Sequence, residues 1–147
     1  MKINIRQIKP VGIELTQTFP ADFAGLTGED DARFITPIKV KAEVSRAADE
    51  IIAGITAASR YESFCGRCLQ EVKRDWEASF LVAFDIDGKT EFIEMDEDIR
   101  QELVLNLPLR ILCREDCRGL CVDCGVNLNN ESCACAEKAT KKVKVKT

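Results

Sequence analysis

From Phe34 to Val44 the chain reads FITPIKVKAEV, which sets Phe34, Ile38, Val40, Ala42 and Val44 on one face and Lys39, Lys41 and Glu43 on the other. Alternation of period two predicts a half-buried strand. Pro37 predicts either an edge position or a strand that begins just after it, because proline cannot donate to a ladder. After a break at Ala48-Asp49-Glu50, the residues Ile51, Ala53, Ile55, Ala57 and Tyr61 alternate again. Val72, Trp76, Ala78, Phe80, Val82 and Phe84 repeat the pattern, opposite Lys73, Asp75, Glu77 and Ser79. Cys65-Gly66-Arg67-Cys68 joins these two long segments, so they are expected to form an antiparallel hairpin with a CxxC at its tip.

Asp87-Gly88 marks a further turn. The acidic stretch from Glu91 to Glu102 leads into a predicted short helix, capped by Asp96 or Asp98 and running to about Asn106, with Ile99, Leu103 and Leu107 on one side. Pro108 stops it. Residues 1–33 hold candidate strands at Lys2–Ile5 and Gly12–Phe19, then a loop through GLTGEDDAR. These elements predict an α+β fold: a mostly antiparallel β-sheet with one or two short helices, followed by a C-terminal Cys-rich zinc module. The expected division is a sheet domain over 1–111, a cysteine-rich module over 112–137 and a basic tail over 138–147.

A chain of 147 residues with 46% apolar content can bury a core, as one domain or one domain with an appendage. No run approaches the roughly 18 apolar residues of a membrane span. The start, MKINIRQIKPVGIEL, lacks the continuous apolar region of a secretory signal, so a cytoplasmic location is expected. In that reducing setting thiols stay free or bind metal, and structural disulfides are rare. The net charge of −4 is uneven. The last ten residues carry five lysines and no acid, leaving 16 basic against 25 acidic residues over 1–137. A body this acidic does not resemble a general nucleic-acid coat. The tail would meet phosphate or an acidic surface, or else stay solvated. The acidic run near the helix is likewise a docking face or, more plainly, a solvated helix start.

The absence of histidine removes the commonest general base and every mixed Cys/His zinc site. No P-loop and no GxGxxG is present, and no carboxylate pair stands out, so no enzyme is expected. What remains is eight cysteines. Cys121-Val122-Asp123-Cys124-Gly125 has the form of a zinc knuckle, in which a tight turn aims two sulfurs at one ion and the following glycine permits positive φ. Cys133 and Cys135 follow closely, so Cys121, Cys124, Cys133 and Cys135 can close on one Zn2+. Cys65 and Cys68 need two further ligands, and Cys113 and Cys117 are the other thiols left. The expected pair of four-thiolate sites competes with a partition that groups Cys113, Cys117, Cys121 and Cys124. Iron–sulfur ligation and a thioredoxin-like CxxC also remain open. The CxxC lies between strands, whereas the redox device needs a helix N-terminus. Four-thiolate zinc sites leave no open position, and so hold shape without performing chemistry.

Arg60, Arg67 and Arg74 flank the first cysteine pair, and Arg110, Arg114 and Arg118 the second. They would form a basic rim for RNA phosphate or a partner, or else neutralise the thiolates and pair with Glu71, Glu115 and Asp116. The string CGRCL, together with LPLRILCREDCRGLCVDCGVNLNNESCAC, closely resembles the bacterial YceD-type family, the large ribosomal RNA subunit accumulation proteins. The likeness is strong over residues 60–135 and weak before them. It implies a cytoplasmic, non-enzymatic role in 23S rRNA accumulation or large-subunit maturation. It also implies a partner among 23S rRNA, a pre-50S particle and a basic large-subunit ribosomal protein. The acidic body suits a basic protein at least as well as RNA. The other functional class the cysteines permit is a zinc-thiolate redox or stress sensor, in which oxidation of Cys113 or Cys117 would release metal.

Overall fold

The computed structural model describes residues 1–26 and 32–135, so the basic tail and most of the GLTGEDDAR stretch lie outside the described residues. In chain order the strands are β1 (Lys2–Asn4), β2 (Ile13–Phe19), β3 (Arg33–Phe34), β4 (Ile38–Ala47), β5 (Glu50–Phe64), β6 (Glu71–Asp85) and β7 (Phe92–Glu94), followed by the helix α1 (Asp96–Leu105). The described residues fall into two compact units. One takes in Met1–Glu62 and Lys73–Pro108; the other takes in Ser63–Val72 and the C-terminal segment from Leu109.

The first unit is built on a five-stranded sheet in the order β2-β4-β5-β3, with β6 also paired to β5. Both β2–β4 and β4–β5 are antiparallel. The predicted alternation sets their register: Val40 lies opposite Ala57, Ala42 opposite Ile55 and Val44 opposite Ala53. All six are buried. A slip of one residue would turn this whole row to solvent, which is why the pairing is specified so strongly. Along β6 the alternation is present but shallower. Trp76 is buried, whereas Ala78, Phe80, Val82 and Phe84 are only half-buried. With β5 as its strand partner, β6 lies at an edge, where less surface is covered.

The segment read as one strand from Phe34 to Val44 is two strands. Phe34 of β3 lies opposite Tyr61, and β4 starts at Ile38, directly after Pro37. The strand that follows the proline runs between β2 and β5, so Pro37 marks a start and not an edge. Across the gap one backbone bond persists, from the Ile35 N–H to the Arg60 carbonyl at 2.8 Å, and side chains supply the rest. Ser59 Oγ donates to the Thr36 carbonyl at 2.8 Å, and the Arg60 N–H donates to Thr36 Oγ1 at 2.9 Å.

The helix forms where expected, with Ile99 and Leu103 fully buried and Leu107 half-buried. Its cap differs from expectation. Met95 occupies the N-cap without a side-chain bond, and Asp96, Glu97 and Asp98 lie in the first turn. Their negative charges there favour the positive end of the helix dipole. Met95 is itself fully buried, so packing sets the helix start where a polar cap would otherwise do so. At the other end the Trp76 indole N–H donates to the Asn106 carbonyl at 3.2 Å, and its ring meets Phe34 edge-on at 5.0 Å. The acidic stretch also contains a strand that periodicity did not reveal. β7 pairs antiparallel with β1, and Ile3 lies opposite Ile93. The chain from Ile5 leaves this small sheet by a 3-10 turn, so the candidate strand at Lys2–Ile5 ends at Asn4. Among the described residues, no helix is long and apolar enough to cross a membrane.

Candidate metal centres

The second unit contains all eight cysteines. At the hairpin tip, Leu69 takes a left-handed conformation, φ 60°, that returns the chain after the CxxC. The Leu69 N–H donates to the Cys65 carbonyl at 3.0 Å, and the Cys65 N–H to the Gln70 carbonyl at 2.8 Å. The C-terminal segment binds this tip through its backbone. Gly66 N–H donates to the Ile111 carbonyl at 2.8 Å, Leu120 N–H to the Arg67 carbonyl at 3.2 Å, and Arg67 Nη1 to the Cys117 carbonyl at 2.9 Å. Gly119 makes that approach possible: its φ is +76°, and a Cβ there would stand 3.1 Å from the Arg67 carbonyl oxygen.

The sulfurs gather in two sets of four, Cys65 with Cys68, Cys113 and Cys117, and Cys121 with Cys124, Cys133 and Cys135. Within each set the ligand atoms lie within 4.8 Å of one another. The competing partition, with Cys113, Cys117, Cys121 and Cys124 together, is not the one the fold makes. A tetrahedral ion with metal–sulfur bonds of about 2.3 Å holds its sulfurs about 3.8 Å apart. Cys65 and Cys117 stand at 3.7 Å, and Cys68 and Cys113 at 3.6 Å. Two edges of the first set therefore already have the length of a single-ion site, and the others are no longer than 4.8 Å. These separations are far beyond a disulfide bond of about 2.05 Å, and all eight cysteines are free. The two sets differ in exposure. Cys65, Cys68 and Cys117 are buried, whereas Cys121, Cys133 and Cys135 are half-exposed and Cys124 is exposed.

Ionisation is divided within each set. Burial pushes the Cys65 thiol up, but N–H groups of Cys68, Cys113 and Arg67 and the Cys68 thiol outweigh it and hold the group at about 6. Cys117 is lowered chiefly by the Asn129 side chain. Burial and the neighbouring Cys68, Cys117 and Cys65 sulfurs push Cys113 up to about 12, and burial raises Cys68. In the second set, N–H groups of Cys124 and Asp123 hold Cys121 at about 7. The Cys124 side chain, followed by burial, pushes Cys135 up to about 12. Four thiolates this close repel one another, so some ionise only at the expense of others. A divalent cation removes that conflict and holds all four as thiolates.

The knuckle forms as its spacing predicts. Cys121 N–H donates to the Val126 carbonyl at 2.8 Å, Gly125 N–H to the Cys121 carbonyl at 2.9 Å, and Gly125 turns at φ +74°. Leu120 and Asn127 make a β-bridge beside it. One residue that pattern reading did not single out is Asn129, which donates from Nδ2 to Cys117 Sγ at 3.3 Å. Its Oδ1 accepts from the Arg118 N–H and from Arg114 Nη2, both at 2.9 Å. No spacing rule marks an asparagine placed after one pair of ligands as a partner of another. The arginine rim is partly committed. Arg67 binds the Cys117 carbonyl, and Arg114 binds Asn129 and also pairs with Asp116 at 3.3 Å. Arg110 and Arg118 are exposed, and their guanidinium groups have no partner among the described residues. Arg60 and Arg74 belong to the first unit.

Proteins from mycobacteria resemble this chain. Uncharacterized proteins of Mycobacterium tuberculosis and Mycobacterium bovis are each 30% identical to it over 103 residues, which is 60% of this chain and 50% of theirs. An uncharacterized protein of Mycobacterium leprae is 24% identical over 110 residues, 63% of this chain and 49% of its own. The chain thus spans about half the length of these relatives. No solved structure matches it. A family description, "Large ribosomal RNA subunit accumulation protein YceD", matches residues 55–144, a span that takes in the hairpin tip, both sulfur sets and Asn129. A match over that much of the chain, including every cysteine, places it: the chain belongs to the YceD family of large ribosomal RNA subunit accumulation proteins.

Proposed function

We propose that this protein is a non-enzymatic ribosome-biogenesis factor of the cytoplasm that supports 23S rRNA accumulation and large-subunit maturation, with one Zn2+ in each four-cysteine set. The observation that carries the reading is the family match over residues 55–144. Zinc is favoured over an iron–sulfur cluster because each sulfur set spans no more than 4.8 Å, which suits one tetrahedral ion and not several irons with bridging sulfides. Two filled four-thiolate sites would leave no open coordination position for a substrate, so the ions would hold shape. Arg67, Arg110, Arg114 and Arg118 are the basic groups among the described residues of the cysteine unit. The two whose guanidinium groups lack partners among the described residues, Arg110 and Arg118, would meet RNA phosphate or an acidic protein face first. The acidic balance elsewhere suits a basic ribosomal protein of the large subunit as the bound component.

The test is sedimentation of tagged protein with pre-50S particles from lysate, with and without RNase, alongside the ratio of 23S to 16S rRNA in cells lacking the gene. Co-sedimentation and a reduced ratio are expected. A protein that stays at the top of the gradient in cells with a normal ratio would defeat the reading. Loss of sedimentation after RNase assigns the contact to RNA, and retention assigns it to protein. A redox-sensing role keeps one supporting observation, the exposed Cys124. It is less favoured at Cys117, which is 3% exposed. Peroxide would oxidise two thiolates to a disulfide, be reduced to water and free the ion, so zinc release at micromolar peroxide would bring this role forward.

A further inference from the structure

We propose that Asn129 couples the two sulfur centres, so that an ion held by Cys121, Cys124, Cys133 and Cys135 raises the affinity of Cys65, Cys68, Cys113 and Cys117 for theirs. The inference rests on the metal reading above. Asn129 lies between Cys124 and Cys133, inside the loop that the second centre closes, yet its side chain ends on the first centre. Its amide can face only one way. The Oδ1 side is taken by the Arg118 N–H and the Arg114 guanidinium, both at 2.9 Å, which turns the NH2 group to Cys117 Sγ at 3.3 Å. The loop backbone is held beside it. Asn129 N–H donates to Asn127 Oδ1 at 3.0 Å, Leu128 N–H donates to the Gly119 carbonyl at 2.9 Å, and Leu120 bridges Asn127.

An N–H donated to a ligand sulfur orients it and stabilises its charge, and loss of such an outer partner typically weakens metal binding about 10–100-fold. Asn129 can serve Cys117 in this way only while its loop is ordered. Without a cation no metal–sulfur bond ties Cys121 and Cys124 to Cys133 and Cys135, so the loop keeps only its own hydrogen bonds and is held less firmly. An ion there orders the loop once, and Asn129 is then in place for the first centre. By linkage, an ion in the first centre favours the second by the same factor.

The experiment uses the full chain, made metal-free under reductant without oxygen and titrated with Co2+ alone. The sulfur-to-cobalt charge-transfer band reports each filling. Paired substitutions, Cys65→Ser with Cys68→Ser and Cys121→Ser with Cys124→Ser, assign the signals to the two centres. Asn129→Asp separates sulfur binding from mere scaffolding, because it keeps oxygens facing Arg118 N–H and Arg114 but loses the donor to Cys117. Asn129→Asp should shift the first-centre band and lower that centre's affinity about tenfold or more. Disabling the second centre should weaken the first in the wild-type background, with no further loss in the Asn129→Asp background. Unchanged band and affinity in Asn129→Asp, or an equal loss in both backgrounds, would overturn the coupling. A wild-type chain that takes up no cobalt would overturn the metal reading itself, and the coupling with it. If Asn129→Asp fails to fold, Arg114→Ala, which releases one anchor of the amide, is read the same way: lowered first-centre affinity supports the coupling and unchanged affinity overturns it.

Discussion

Gly119 and Gly125 turn through the same left-handed region, at φ of 76° and 74°, but for different reasons. A Cβ at Gly119 would press on the Arg67 carbonyl and Cβ at 3.1 and 3.3 Å, whereas one at Gly125 would meet nothing within 4 Å. Gly125→Ala should therefore carry only the cost of the conformation, about 1–2 kcal/mol. Gly119→Ala adds overpacking against the hairpin tip and should cost about 2–4 kcal/mol. Thermal unfolding of the zinc-loaded variants checks the order, and equal losses would show that the close approach at Arg67 does not matter. The thiols predict a second effect at this scale. Cys65 and Cys121 are lowered from 9.0 to about 6 and about 7, so each stabilises the metal-free fold increasingly as pH rises toward 9 and loses that contribution as pH falls through its lowered value. Cys113 and Cys135 are raised to about 12, so their contribution is present below 9 and is lost between 9 and 12. The denaturation midpoint of metal-free, reduced protein should climb from pH 6 to a maximum near pH 9 and then fall. A midpoint that declines steadily from pH 6 to 9 would contradict the division of charge within each set.

At the scale of elements, the strands carry their own evidence in their side chains. Ile55 is 1% exposed and faces Ala42 across the β4–β5 ladder, whereas Leu81 on β6 is 74% exposed beside Gly54. Ile55→Ala should cost about 2–5 kcal/mol. Leu81→Ser should move stability by no more than about 0.5 kcal/mol. Chemical denaturation followed by the single tryptophan distinguishes the two, and comparable losses would mean that the outer face of β6 is covered in solution. The same physics explains which elements could be read beforehand. Long alternating runs such as Ile38 to Val44 announce themselves because one face must be buried. The break at Ile35–Pro37 could not be read, because Phe34 keeps the alternation while its pairing moves to Tyr61. β7 is three residues within an acidic run, too short for any period to show, and the helix start at Met95 depends on packing that no capping rule describes. Spacing favours the cysteine grouping that forms, since a hairpin tip must recruit ligands from elsewhere, but it leaves the partition with Cys113, Cys117, Cys121 and Cys124 open until the fold excludes it. The bond from Asn129 to Cys117 was not legible, because it depends on how two loops meet.

For the molecule as a whole, the two units draw on different sources of stability. The first has an apolar core of its own, with Ile38, Val40, Ile51, Ile99 and Leu103 showing no exposure. The second, Ser63–Val72 and Leu109–Thr147, is little larger than the roughly 40 residues under which a chain usually needs a metal or disulfides to fold. Among its described residues the regular structure is the hairpin tip and the Leu120–Asn127 bridge, and Cys65, Cys68 and Cys117 make up half of the buried side chains, with Ser63, Val72 and Ile111. Removing metal should therefore act selectively. With a strong chelator and reductant, backbone amides at 65–70 and 113–135 should lose part of their protection from hydrogen exchange, because the metal-free unit keeps its fold but with less stability. Amides of β4 and the paired part of β5 from Ile51 to Ala58 should keep theirs, because their ladder and the core beneath it contain no cysteine. Exchange measured by mass spectrometry before and after chelation resolves the two regions in one experiment. Loss of protection in β4 at the same chelator concentration would mean that the sheet also depends on the ions. Unchanged protection at 113–135 would mean that this segment is held by something other than metal.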